Sequence, residues 1–116
     1  MLKSEIWVKA HIRRCFSSGL TAVIVNKGAP EAGAVYVQVT ISAQEVRIFA
    51  PAPGPAYNED GYRTWSQPLG STPVTPQKAH EYFERQKRFD PDIWVIDIDD
   101  RAGNGLLELS ASTLLL

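Results

Sequence analysis

Apolar residues recur along this chain with two different periods, and the switches between them lay out its elements. Val8, Ile12, Cys15 and Phe16 fall at i, i+4, i+7 and i+8, which predicts a helix over residues 5–18 stopped by Gly19. The alternation of Ile6, Val8, Ala10 and Ile12 fits a strand over the same stretch, so both readings stand. Residues 20–26 and 34–41 are β-rich and separated by a loop at 27–33, a spacing that predicts an antiparallel hairpin. Residues 45–50 read as a third strand.

A second helix is announced by its ends. Thr75 is a good N-cap, Pro76 suits the first helical position, and Ala79, Tyr82 and Phe83 recur at helical spacing. Arg85, Lys87 and Arg88 crowd the last turn, where cations complement the helix dipole. Asp90 precedes Pro91 and is pushed out of the helical region, so the helix ends near Phe89. The run from Ile93 to Ile98 is then β-branched and aromatic, the mark of a mostly buried strand.

Residues 51–76 hold six of the eight prolines together with Gly54, Gly61 and Gly70, and read as a long surface loop with a short strand at 62–65. Residues 103–116 form a tail without a clear assignment. The 116 residues are enough for one domain with a real core and too few for two. The fold class is α+β, with helices 5–18 and 76–89 on one face of a mainly antiparallel sheet of four or five strands.

Composition narrows the setting. No apolar run reaches the roughly 20 residues of a membrane span, and the N-terminus lacks a secretory apolar region. Cys15 is the single cysteine, which excludes an internal disulfide and suits a cytoplasmic protein. The net charge of −1 conceals a split: residues 1–30 carry +4 and the remainder −5. Such halves can face each other within a chain or across a homodimer, and they fall short of the basic excess typical of nucleic-acid binders.

Motifs fail on inspection. Gly28 and Gly33 have the outer spacing of a phosphate-binding loop, but Ala34 and Val35 stand where Lys and Ser or Thr are required. His80-Glu81-Tyr82-Phe83-Glu84 begins like a zinc-protease helix, with Glu84 in place of the second His. The run from Asp97 to Ala102 opens like a calcium loop, but Arg101 occupies a ligand position and Ala102 replaces the glycine. No metal and no cofactor are expected. Asp97 and Asp99 face one side of a strand and read as acids leaving the core, paired with Arg101 or the basic N-terminal region. Cys15, despite Arg13 and Arg14, reads as a buried apolar residue beside Ile12 and Phe16.

Several stretches resemble one family. Ser4-Glu5-Ile6-Trp7-Val8, Ile12-Arg13-Arg14-Cys15, Lys27-Gly28 followed by Ala32-Gly33-Ala34-Val35, the Gly-Pro-Ala-Tyr of the long loop, and Arg88-Phe89-Asp90-Pro91-Asp92-Ile93-Trp94 together resemble DUF1491, a domain of unknown function in small bacterial proteins. Ala29 departs from the Asp common after Lys-Gly in that family, and the tail from Gly103 departs as well. The resemblance implies a compact cytoplasmic bacterial domain and brings no activity with it.

With no catalytic constellation, the expected role is a non-enzymatic protein-interaction or structural module. Arg63, Trp65, Arg88 and Asp92 are its candidate contacts; Trp7, Trp65 and Trp94 read as core or loop-packing residues, and Trp65 becomes the hot spot only if it is exposed in the proline-rich loop. The partner would be another protein or a second copy, with no membrane involved. The alternative is a small-molecule or nucleotide-binding protein, or an enzyme of that kind. There Arg13, Arg14 and Lys27 would hold an anionic group, and Asp97 or Asp99 would serve as acid, base or metal ligand. Nucleic-acid binding ranks behind both.

Overall fold

A computed structural model describes residues 3–53 and 63–107 of the chain. In chain order these form α1 (Ser4–Ser17), β1 (Thr21–Asn26), β2 (Val35–Ser42), β3 (Glu45–Pro51), β4 (Trp65–Ser66), α2 (Pro76–Phe89) and β5 (Trp94–Asp99). Tyr62, expected to open a short strand, and the Gly-Pro-Ala-Tyr stretch lie outside the described residues.

The helical reading of the first segment holds over the strand alternative. No side chain caps the start of α1. Instead the loop carbonyls of Glu31 and Pro30 accept from the Ser4 and Glu5 N–H groups at 3.0 and 2.9 Å, and Ser4 Oγ donates to Gly33 O at 2.6 Å. At the other end Gly19 takes φ 81°, letting Leu20 N–H reach Cys15 O at 2.8 Å and Gly19 N–H reach Phe16 O at 3.0 Å. The buried stripe is Trp7, Val8, His11 and Cys15. Phe16 sits about 100° round the axis from Cys15 and is exposed, contrary to its expected place on the apolar face. In α2, Thr75 Oγ1 accepts from Lys78 N–H at 3.2 Å, and the helix ends at Phe89 as its sequence dictates.

The sheet order is β1-β5-β2-β3-β4. The expected β1–β2 hairpin is therefore wrong: β5 lies between them, antiparallel to β1 and parallel to β2. The β2–β3 and β3–β4 pairings are antiparallel, so the sheet is mixed but mostly antiparallel. The two helices also lie on opposite faces rather than on one. Trp7, Val8 and Cys15 of α1 pack against Val35, Val37, Val39, Trp94, Ile96 and Ile98, while Ala79, Tyr82 and Phe83 of α2 pack against Val46, Ile48, Ile93 and Val95. The part of β5 covered on both sides is apolar, which is why Ile93 to Ile96 lacks alternation, and the first acid, Asp97, comes beyond it. Trp94, Ile96 and Ile98 are wholly buried, and each contributes roughly 1.5–3 kcal/mol by leaving water.

The loop at 27–33 is clamped onto the start of β5. Trp94 Nε1 donates to Ala29 O at 2.7 Å, Ala29 N–H donates to Asp92 O at 2.9 Å, and Trp94 N–H donates to Ala34 O at 2.8 Å. A side chain at Gly28 would collide with the Asp92 carbonyl and lie 2.6 Å from Ile93 C. These glycines serve close backbone approach, and the phosphate-loop spacing is incidental.

Candidate functional site

Helix α2 covers the β2–β3 part of its face and leaves the β1 side open. Pro76, His80, Phe83, Glu84 and Lys87 make one wall of the resulting cleft, Val25 and Asn26 the other, and Gln38 with Val95 the floor; its volume is about 320 Å³. A bulge in β1 makes Asn26, not Val25, the partner of Val95. Both residues therefore line the cleft. Asn26 Nδ2 donates to Ile93 O at 2.7 Å and fixes this end of the strand. Across the cleft Lys87 Nζ lies 2.8 Å from Glu84 Oε1, and this contact holds the exposed Glu84 carboxyl below its usual range.

Further along the same face stand Asp97 and Asp99. Burial raises the Asp97 carboxyl above its ordinary value, and the neighbouring Asp99 adds to this; donation from Thr40 Oγ1 at 2.7 Å and Gln38 Nε2 at 3.4 Å opposes it. Among the described residues neither acid forms an ion pair, so the expected pairing with Arg101 or the N-terminal cations does not occur. Beside them, Val23, Ile24 and Val25 of β1 are 50, 40 and 63% exposed. Among the described residues β1 pairs with β5 alone, and its sequence Thr21–Asn26 holds no charge. It is an open, apolar sheet edge, the kind natural proteins usually blunt with lysine or proline.

The opposite face carries an aromatic and cationic stack. His11 lies flat on Trp7 with ring centroids 4.7 Å apart, Trp65 packs against Trp7 at 5.3 Å, and the Arg63 and Arg14 guanidinium groups sit 5.4 and 5.9 Å from its ring. His11 Nε2 is 2.8 Å from Gly105 O, which can only accept, so Nε2 carries the proton. Nδ1 is then the acceptor for Arg14 Nη2 at 2.8 Å. Burial lowers the His11 pKa, and the Arg14 charge lowers it further against the opposing Gly105 bond. The unfolded chain takes up a proton near pH 6.5 and the folded one only below that. Stability contributed by neutral His11 is thus present above about pH 6.5 and declines as pH falls through and below it. Urea unfolding of wild type and His11→Phe between pH 7.5 and 5 should show the slope in the first and a flatter profile in the second.

The residues expected to bind are not gathered together. Trp65 is 2% exposed and closes the core beside Trp7, so it is no surface hot spot. Arg63 lies over Trp7 and donates to Ser4 Oγ at 3.4 Å. Arg88 and Asp92 are exposed at the α2–β5 turn. Arg13, Arg14 and Lys27 are exposed, the two arginines on α1, whereas Asp97 and Asp99 lie on the far face of the sheet. The anion site proposed with them has no common pocket. Cys15 is buried; burial and Asp100 push its thiol pKa up while Arg14 opposes, so it is not an activated nucleophile. Among the described residues no group of three or more His, Cys, Asp or Glu side chains is placed to hold a metal. None of their helices is long and apolar enough to cross a membrane.

Among the described residues, a mixed five-stranded sheet with one helix on each face and an open apolar edge defines a small α+β domain. The chain belongs to the family described as protein of unknown function (DUF1491), which it matches over residues 2–108. It is similar to a DUF1491 protein of Caulobacter crescentus known from a crystal structure, at 36% identity and TM-score 0.76, over 95% of this chain and 100% of that one. A protein of A. tumefaciens solved in solution is 33% identical, with TM-score 0.78 and 93% of each chain covered. None of the curated proteins compared matches the chain.

Proposed function

We propose that this protein is a non-enzymatic interaction module of the cytoplasm that receives an extended segment of another protein along β1. The observation that carries this reading is the uncharged edge, with Val23, Ile24 and Val25 left 40–63% exposed. A strand added there would gain main-chain hydrogen bonds and send alternate side chains toward the cleft between α2 and β1. Arg88 and Asp92 would supply polar contacts near the α2–β5 turn.

The test is affinity capture from the native cells with wild type, Val23→Lys and Val25→Lys. Both sites are exposed, so the substitutions spare the fold, and the lysines should remove the partners retained by wild type. Phe89→Ser, at a position 84% exposed on the end of α2, should retain them. Partners unchanged in both β1 variants would dismiss the reading.

A further inference from the structure

The acids beside β1 narrow the chemistry of what that edge receives. Resting on the interaction reading above, we infer that the bound segment alternates apolar and basic side chains, the cations reaching Asp97 and Asp99 on the α2 face and the apolar residues lying beside Ile24 on the other face.

Register places the parts. Val23 stands opposite Asp97 and Thr21 opposite Asp99, so both carboxylates lie one strand in from the edge on the α2 face. Strands are spaced about 4.8 Å apart, which puts an added strand roughly 10 Å from β5, within the lean of an arginine or lysine across Thr21 or Val23. Asp97 and Asp99 are two residues apart and so match basic residues at i and i+2 of the incoming strand. Neither is engaged by a cation among the described residues, whereas the cation of the cleft wall, Lys87, is already held by Glu84. Half-buried Asp97 is driven toward its protonated form by burial, so an arriving cation relieves a charge that the fold does not neutralise. A second copy of this chain is a poorer occupant. Its own β1, Thr21–Asn26, brings no basic residue to the acids.

The experiment is an NMR titration of the full chain with synthetic peptides of alternating valine and lysine, valine and glutamate, and valine and threonine. The valine–lysine peptide should shift the amides of residues 21–26, bind most tightly, and weaken as salt is raised. The double variant Asp97→Asn, Asp99→Asn keeps the shape of both side chains. It should lose affinity for that peptide by about five-fold, the worth of two exposed ion pairs, and leave the valine–threonine peptide unaffected. A valine–glutamate peptide that binds β1 as well, or a double variant with unchanged affinity, would overturn the charge inference and leave edge recognition standing. Silence at β1 with all three peptides would overturn both. Shifts at β1 that follow protein concentration without peptide would give the edge to a second copy and end the inference.

Discussion

Gly28→Ala should lower the unfolding free energy by about 3 kcal/mol, the upper range for forcing one extra carbon into a packed site. The added carbon would meet the carbonyl of Asp92, Ile93 C at 2.6 Å and Trp94 Cδ1 at 2.7 Å. Two of these three are backbone atoms of the turn entering β5, and they cannot rotate aside as the tip of a flexible side chain could. Relief requires lifting the 27–33 loop, which breaks the Trp94 Nε1 bond to Ala29 O and loosens the carbonyls that cap α1. Gly33→Ala should behave alike, with contacts of 2.6 Å to Asp92 O and 2.9 Å to Ala29 O. Gly19→Ala is the contrast: its φ of 81° is strained for alanine but nothing lies within 4 Å, so the cost should stay near 1 kcal/mol. Urea denaturation of the three variants measures the ranking, and equal costs at Gly28 and Gly19 would refute the clamp.

Asp100→Ala should cost about 3 kcal/mol, and its effect should not add to that of His11→Phe. The buried Asp100 carboxylate accepts from the N–H groups of Ala102 at 3.0 Å, Gly105 at 2.9 Å and Asn104 at 3.4 Å. It is the organiser of the turn after β5. Removing it strands a buried Gly105 N–H and frees the same residue whose carbonyl accepts from His11 Nε2 at 2.8 Å. His11→Phe keeps the stack on Trp7 but leaves the Gly105 carbonyl unpaired, at about 2 kcal/mol. Once the turn has loosened, His11 has no fixed acceptor to lose. The double variant should therefore cost less than the two singles combined, by more than about 0.5 kcal/mol. Strict additivity would show that the helix and the turn are held independently.

Local signals in the sequence were reliable where the structure is locally determined. Thr75, Pro76 and the Asp90-Pro91 pair bound α2 through contacts within a few residues, so its limits could be read directly. The β1–β2 pairing failed because the strand that separates them, β5, comes from much later in the chain. The seven residues between β-rich runs favoured a hairpin, while the glycines at 28 and 33 were marking a docking surface for Asp92 and Trp94. One available signal was missed. Ile93, Val95 on one side and Trp94, Ile96, Ile98 on the other are apolar together, which requires cover on both faces and so places the helices apart. Trp65 left no such trace, since an aromatic residue in a proline-rich stretch reads the same whether it packs inward or faces a partner. The site was hidden for a related reason. Residues 20–26 were legible as a strand, but that Val23 to Val25 face solvent follows from their position at the end of the sheet.

The place of β5 between β1 and β2 also sets an order of events during synthesis. Among the described strands it is the last to be made, yet it alone joins β1 to the β2–β3–β4 half of the sheet. Until residues 94–99 leave the ribosome, β1 has no strand to pair with, and β2 can pair only with β3. A nascent chain paused before Trp94 thus presents two separate apolar pieces, with the long-range pairing that unites them still unpaid in chain entropy. Such an intermediate invites chaperone binding; a pause ahead of β5 would prolong it, and a truncation there would abolish the domain where an equal loss at an outer strand would only trim it.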